Sequence, residues 1–165
     1  MLDLGSIRLA PGEVRHEHPR VRLEPLELAG QEYTVTPDEL EPDLELQATS
    51  GGLYLKLNFH AHVEGPCFRC LEPAALDLRV RASEYQSADP QAGEQERSDY
   101  IAGGLLDIEA WVRDALVLAL PDKILDREDC AGLCPRCGQP LETGVDHQCG
   151  EPERDTRWDK LRDLL

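Results

Sequence analysis

Residues 53–63 read LYLKLNFHAHV, and every second residue of this stretch is apolar. An alternation with a period of two is typical of a β-strand that buries one face and exposes the other. Residues 43–49, DLELQAT, alternate in the same way, and the Ser-Gly-Gly sequence at 50–52 predicts a turn between the two stretches. Residues 75–82, ALDLRVRA, form a third alternating stretch. We therefore predict three antiparallel strands in a meander.

Shorter stretches closer to the N-terminus predict further strands. They are residues 6–10 (SIRLA), 21–28 (VRLEPLEL) and 33–35 (YTV). Pro19 and Pro25 place residues 20–28 near a sheet edge, because proline cannot donate a hydrogen bond to a neighbouring strand. Residues 86–99 are polar, acidic and rich in turn-forming residues, which predicts a loop.

One main helix is predicted near residues 107–120. Asp107 is suited to cap its first turn, apolar residues recur at helical spacing from Ile108 to Ala119, and Pro121 ends it. An apolar helix beside strands with one buried face predicts an α+β fold, a mostly antiparallel β-sheet (meander) covered by one main helix.

The chain is also predicted to divide in two. Residues 1–121 would form the antiparallel β-sheet domain with its helix. Residues 122–165 would form a small cysteine-rich, zinc-binding tail, a zinc-knuckle segment with a short terminal helix in DTRWDKLRDLL.

The charge balance restricts the class of partner. The 165 residues include 33 acidic and 17 basic side chains, for a net charge of −16. Such a field repels nucleic acid, whose binding depends on basic contacts to phosphates, and it suits a basic partner such as a ribosomal protein. No stretch is long and apolar enough for a membrane span and the N-terminus does not resemble a secretory signal. We expect a soluble cytoplasmic protein without a membrane partner.

Six cysteines in a reducing compartment favour metal binding over disulfides. Two Cys-x-x-Cys pairs occur, at 67–70 in GPCFRCL and at 134–137 in CAGLCPRCG. Two cysteines at this spacing can occupy one edge of the tetrahedron that zinc requires. We predict one structural zinc ion. Its ligands would be Cys130, Cys134, Cys137 and Cys149, which lie within 20 residues.

Alternatives to this ligand set remain open. Cys67 and Cys70 could join Cys134 and Cys137 in a split site, or could be small buried residues at a turn. His147 lies two residues before Cys149 and could replace a cysteine. A thioredoxin-like role for the earlier pair is disfavoured, because a strand rather than a helix follows it.

Three features together resemble one family of bacterial proteins. They are Cys-x-Arg-Cys-Leu at 67–71, the Ile-x-x-x-Val-x-x-x-Leu-x-Leu-x-Leu-Pro helix near 108–121, and Cys-x-Gly-Leu-Cys-Pro-x-Cys-Gly at 130–138. In this combination and order they resemble the YceD family, described as large ribosomal RNA subunit accumulation proteins. Residues 155–165 resemble the family's closing Asp-x-Arg-Trp-x-x-Leu-x-x-Leu. Where relatives end the knuckle with Cys-x-Cys, this chain has His147-Gln148-Cys149, which keeps His147 as an alternative ligand.

The resemblance implies a role in the synthesis, processing or stability of large-subunit ribosomal RNA. It supplies no catalytic residues, and the sequence has no Gly-rich phosphate loop and no distinctive pair of carboxylates. A zinc ion held by four thiolates has no open position for a water molecule. We therefore expect a non-enzyme without a small-molecule substrate.

Two hypotheses for the mode of action compete, and a third is possible. In the first, the acidic surface binds a ribosomal protein or a ribosome assembly intermediate. In the second, the protein binds ribosomal RNA directly through a local basic patch. In the third, the zinc ribbon is an adaptor in transcription or RNA turnover. The main candidates for the basic patch are Lys56, Arg69, Arg79 and Arg81, with Arg15, Arg20, Arg22, His60 and His62 as further members.

Overall fold

The computed structural model describes residues 1–149, and within that range strands predominate. In chain order the elements are β1 (Leu2–Asp3), β2 (Val14–Glu17), β3 (Val21–Arg22), β4 (Leu26–Leu28), β5 (Gln31–Thr36), β6 (Glu39–Leu40), β7 (Asp43–Ala48), β8 (Gly52–Pro66), β9 (Pro73–Ser87), β10 (Ile101–Ala102), β11 (Leu105–Leu106) and α1 (Ile108–Ala119). A short 3-10 turn, Glu94–Glu96, lies between β9 and β10. The predicted α+β class is confirmed.

A long hairpin organises the main sheet. Strands β8 and β9 pair antiparallel over their full length, from Gly52 opposite Ser87 to Pro66 opposite Pro73. The other edge of β8 is shared between β7, which pairs with residues 53–58, and β5, which pairs with residues 62–64. Strands β2 and β4 extend the sheet beyond β7 and β5. The predicted meander of three strands is confirmed as β7–β8–β9.

The alternation of apolar residues gives the sheet one buried face. Leu55, Leu57 and Val63 of β8 are completely buried, as are Leu44 and Leu46 of β7. The residues between them point to the opposite face and are partly or fully exposed. Burial of one face sets the register, because a slip of one residue would move every apolar side chain into water.

The predicted helix is confirmed as α1. The Asp107 side chain accepts a hydrogen bond from the Ala110 backbone N–H (3.2 Å) and so caps the first turn. Trp111, Val112 and Leu116 are buried on the side that lies against the sheet, where α1 packs on β9 and β3. The backbone becomes extended at Leu120, as expected for the residue before a proline.

The N-terminal strand predictions have mixed outcomes. Residues 21–28 and 33–35 fall in β3, β4 and β5, but the strand predicted at 6–10 is wrong. Asp3 accepts hydrogen bonds from the backbone N–H groups of Gly5 (2.9 Å) and Ser6 (3.3 Å), and Ile7 N–H donates to the Leu4 carbonyl (3.1 Å). This local turn uses backbone groups that a strand would offer to a neighbour.

The segment after α1 returns to the tip of the long hairpin. Ile124 is buried in the core, and its carbonyl accepts a hydrogen bond from the Phe68 backbone N–H (2.8 Å). Residues on both sides of the proposed boundary at 121 thus share one core, and the division into two domains stays a prediction. The predicted terminal helix lies outside the described residues. Within residues 1–149, no helix is long and apolar enough to cross a membrane.

Candidate metal centres

Both Cys-x-Arg-Cys pairs fold into the same six-residue knuckle. In residues 67–72, Cys67 N–H donates to the Glu72 carbonyl (2.7 Å) and Leu71 N–H donates to the Cys67 carbonyl (3.0 Å). The Arg69 backbone N–H donates to the Cys67 sulfur (3.4 Å). These bonds turn both cysteine side chains to one side of the loop. This first knuckle is the turn between β8 and β9.

The second knuckle, residues 134–139, repeats each of these bonds. Cys134 N–H donates to the Gln139 carbonyl (2.8 Å) and Gly138 N–H to the Cys134 carbonyl (2.8 Å). The Arg136 backbone N–H donates to the Cys134 sulfur (3.5 Å). Gly138 has φ +72°, a left-handed conformation that favours glycine. The backbone of the two knuckles is thus matched bond for bond.

The first centre consists of Cys67, Cys70, Asp126 and Cys130, whose ligand atoms all lie within 4.8 Å of one another. The Oδ1 atom of Asp126 lies 3.2 Å from the Cys67 sulfur and 3.6 Å from the Cys70 sulfur. The Cys67 and Cys130 sulfurs are 3.7 Å apart. All three cysteines are buried, and the Asp126 side chain is 19% exposed.

The second centre consists of Cys134, Cys137, His147 and Cys149, again within 4.8 Å of one another. The Cys134 and Cys149 sulfurs are 3.0 Å apart, and His147 Nε2 lies 3.1 Å from the Cys137 sulfur. Cys137 and His147 are exposed, so this centre is nearer the surface than the first. Each centre offers three sulfurs and one nitrogen or oxygen, a set suited to a tetrahedral ion of the zinc class.

The structure does not bring the four predicted ligands together. Cys134, Cys137 and Cys149 share a centre, but Cys130 lies with the earlier cysteine pair, and His147 takes the fourth position of the later one. Cys130 is held there because the Arg69 guanidinium donates to its carbonyl through Nη1 (2.7 Å). The predicted alternative with His147 matches the second centre, whereas the predicted split site of Cys67, Cys70, Cys134 and Cys137 does not occur.

Sequence reasoning missed Asp126. One acid among 33 carries no local signal. A count of ligands offered the only indication, because two knuckles need eight ligands in total, and six cysteines with His147 supply seven.

The ionisable groups within each centre have widely different pKa values. In the second centre, hydrogen bonds from Cys149 and from the backbone lower the pKa of Cys134 to about 6, and Cys134 in turn raises the pKa of Cys149 to about 12. In the first, Asp126 raises the pKa of Cys130 to about 12, and Cys130 and Cys67 lower the pKa of Asp126 to about 2. Each centre is therefore anionic at neutral pH, which favours a cation.

Three of the four main residues of the predicted basic patch share one face of the hairpin, and the fourth lies apart from them. Arg79 and Arg81 lie opposite His60 and Asn58 on the exposed face of the hairpin. Lys56 is on the same face, but its Nζ is 2.7 Å from Glu45 Oε1. Arg69 lies at the first knuckle and bonds Cys130, away from the strand residues. Their role in binding stays a prediction.

The two knuckles and the helix between them fall within a match to a known family. The model of the family described as large ribosomal RNA subunit accumulation protein YceD matches residues 55–165. The chain belongs to the YceD family. The predicted resemblance is thereby confirmed, and it covers every residue of both centres of this YceD-family chain.

Mycobacterial proteins are similar to this YceD-family chain. An uncharacterized protein of Mycobacterium tuberculosis is 32% identical over 130 residues, which cover 76% of the chain and 62% of the relative. An uncharacterized protein of Mycobacterium leprae is 29% identical over 129 residues, covering 74% of the chain and 58% of the relative. The chain thus spans about three fifths of the length of these relatives. No solved structure matches the chain.

Proposed function

We propose that this YceD-family protein is a non-enzymatic cytoplasmic factor that supports the synthesis, processing or stability of large-subunit ribosomal RNA. It would act by binding a basic ribosomal protein or an assembly intermediate. The family match over residues 55–165 carries the role, because the family's description names accumulation of the large ribosomal RNA subunit. The net charge of −16 supports a basic protein as the partner.

The metal chemistry supports a structural rather than a hydrolytic role. We assign zinc to the second centre, where Cys134, Cys137, His147 and Cys149 offer four ligands. Four protein ligands complete a tetrahedral site, so that zinc would have no open position to activate water. The ion would fix the second knuckle without taking part in a reaction.

An acidic hairpin favours one surface for the basic partner. Strands β4 and β5 place Glu27 directly opposite Glu32, and both side chains are exposed. Like charges at paired positions of a sheet repel one another and destabilise it. A cationic side chain bound between them would relieve that repulsion, which makes the pair suited to a lysine or arginine of a partner.

An apolar groove continues from this acidic hairpin to the first knuckle. It has a volume of about 550 Å³, and Pro66, Leu71 and Pro73 line it together with Glu32 and Glu64. Leu71 is 56% exposed, and its φ of +64° is a strained conformation for a leucine. An exposed leucine beside two carboxylates suits a segment with both apolar and basic side chains. We therefore assign the groove to a basic segment of a ribosomal protein.

The proposal is tested by direct capture with purified components. The immobilised full chain is offered purified large-subunit ribosomal proteins and, separately, ribosomal RNA, over a range of salt concentrations. We expect capture of a basic protein that weakens with salt. Changing both Glu27 and Glu32 to Gln should weaken capture about 2–30-fold, because exposed ion pairs contribute about 0.2–1 kcal/mol each.

A matched control uses two exposed acids on other elements. Glu96 of the 3-10 turn and Glu109 of α1 are exposed, and changing both to Gln removes the same charge. This control should weaken capture clearly less than the Glu27 and Glu32 double variant does. Equal loss in both double variants would show only a response to net charge and would count against the groove.

Direct RNA binding is the second candidate, and the register of β8 and β9 favours one surface for it. Tyr54 lies opposite Tyr85 on the exposed face that also carries Arg79 and Arg81. Aromatic side chains that stack on bases and cations that contact phosphates are the usual components of a single-strand RNA surface. Tight RNA binding whose salt slope falls by about 1.4 when both arginines are changed to Ala would favour this candidate over the first.

A further inference from the structure

The first centre has the dimensions of an ion-binding site. Ligands that surround a zinc ion at about 2.3 Å for sulfur and 2.0 Å for oxygen lie about 3.8 Å apart for two sulfurs and about 3.5 Å apart for sulfur and oxygen. The Cys67 and Cys130 sulfurs are 3.7 Å apart. The Asp126 Oδ1 atom is 3.2 Å and 3.6 Å from the sulfurs of Cys67 and Cys70. The observed distances therefore agree with a common central ion.

We infer that the first centre is itself a metal site, in which Asp126 completes a set of three cysteines around a divalent ion of the zinc class, so that each chain binds two ions. The inference is independent of the partner proposed above. It also replaces the predicted single ion with one ion in each centre.

The two oxygens of Asp126 have different partners. Oδ1 faces the sulfurs, whereas Oδ2 lies 3.8 Å from Nε of Arg127. Asp126 would thus bind through Oδ1, with the Arg127 guanidinium as a nearby positive charge.

The charges around the first centre also suit an ion with four anionic ligands. Three thiolates and one carboxylate around a doubly charged cation leave an excess of two negative charges. The Arg69 guanidinium donates to the Cys130 carbonyl, and the Arg127 guanidinium contacts Asp126, so both cations lie beside the cluster.

The matching knuckles give independent support. The first knuckle repeats the three backbone bonds of the second, including the N–H donated to the first cysteine sulfur. In a knuckle this bond stabilises the sulfur as a thiolate, which is the form that binds metal. The first knuckle has the geometry of the second and lies beside a complete set of four possible ligands, which supports metal binding by both knuckles.

Metal content of the purified, reduced full-length chain tests the inference. We expect two zinc ions per chain by elemental analysis. Cys70→Ser and Asp126→Asn should each lower the content to one in the presence of a competing chelator, and Cys137→Ser should also lower it to one. The double variant Cys70→Ser/Cys137→Ser should contain none.

A gain-of-ligand variant guards against loss of zinc through misfolding. Asp126→Cys should retain two ions, and in the cobalt-loaded protein it should raise the thiolate-to-cobalt absorption, because seven thiolates replace six. The matched control is Asp129→Asn, which removes an exposed acid of the same segment. It should keep two ions.

Two results would overturn the inference. One is a wild-type content of one ion that Cys137→Ser abolishes and Cys70→Ser leaves in place, since the first centre would then bind none. The other is an Asp126→Asn variant that keeps both ions with wild-type resistance to the chelator, since Asp126 would not be a ligand.

Discussion

The two centres use the same knuckle but connect different parts of the chain. In the second centre, all ligands lie between residues 134 and 149, so the centre is complete within one short segment. In the first, the knuckle is the tip of the β8–β9 hairpin, and its other ligands follow the helix 56 to 63 residues later. The same turn therefore organises a local segment in one place and joins distant parts of the fold in the other.

This difference in span predicts a difference in energetic effect. By the relation used for cross-links, closing a loop of about 60 residues stabilises a fold by about 4 kcal/mol, and closing one of about 15 residues by about 3 kcal/mol. The larger value applies to the first centre, which connects the hairpin to the segment that packs in the core. The smaller value applies to the second centre, whose segment can open alone.

The largest effect is expected for a ligand of the first centre. Cys67→Ser should lower the free energy of unfolding of the whole chain by about 4 kcal/mol, because it removes the ion and a buried thiol together. Urea denaturation of the zinc-loaded protein measures it. Phe68→Ser, which changes an exposed neighbour in the same knuckle, serves as the control and should change stability by less than about 1 kcal/mol. A loss below about 1 kcal/mol in both variants would remove the distinction between the centres.

A ligand of the second centre should have a local effect. Cys137→Ser should abolish the hydrogen-exchange protection of backbone amides such as Gly138 and Leu141, while amides of β8 and β9 keep theirs, because the second centre is closed within its own segment. Hydrogen exchange followed by mass spectrometry measures both regions at once. Simultaneous loss of protection in β8 would show that the two centres unfold as one unit.

The fifth position of each knuckle sharpens the comparison further. Leu71 and Gly138 have the same left-handed backbone, with φ of +64° and +72°. Gly138→Ala should destabilise the second knuckle by about 1 kcal/mol, whereas Leu71→Gly should stabilise the first by about 0.5–1 kcal/mol, after allowance for the larger unfolded-state entropy of glycine.

The opposite changes in stability are measured by the thermal unfolding of the two variants and by their resistance to a chelator. If the groove binds the partner through Leu71, the more stable Leu71→Gly variant should also capture less ribosomal protein. Destabilisation by Leu71→Gly would mean that side-chain packing outweighs backbone strain at the first knuckle.

The smallest effect is expected outside both centres, at His62. Hydrogen bonds to Asp77 (2.7 Å) and then to Glu64 (3.1 Å) raise the pKa of His62 above its ordinary value. Since the folded pKa exceeds the unfolded one, the stabilisation is complete below pH 6.5 and is lost as the pH rises through the raised folded value. The difference in melting temperature between wild type and His62→Gln should therefore be present at pH 5.5 and absent at pH 8.5. A difference that is independent of pH would exclude the ionisation as its cause.

Strands with a buried face were predictable, and very short strands were not. Alternation over ten or more residues marks β8 because its apolar side chains must share one side of the sheet. In contrast, β1, β10 and β11 have two residues each, too few to show a periodicity, and they are strands because they pair with one another. The wrong prediction at residues 6–10 has a similar cause. The Asp3 side chain stabilises a turn there, and the pattern of apolar residues carries no sign of that turn.

The sequence predicted both Cys-x-x-Cys knuckles, but it did not predict which four side chains lie together in each centre. Spacing along the chain predicts which cysteines lie on one turn, and both pairs do so. It cannot report that the chain after α1 returns to the hairpin tip, where Phe68 bonds Ile124 and Arg69 bonds Cys130. Proximity in sequence therefore grouped Cys130 with the later cysteines, whereas the structure places it beside the earlier pair and Asp126, an acid that belongs to no motif.

The span of the first centre also has a consequence for the nascent chain. Cys67 and Cys70 emerge from the ribosome with the long hairpin, and Asp126 is translated 56 residues after Cys70. On the inference that this centre binds an ion, the hairpin tip offers only two of its four ligands until Asp126 and Cys130 have been made. Completion of this centre therefore marks the moment at which helix α1 has been made and the following segment has docked on the sheet.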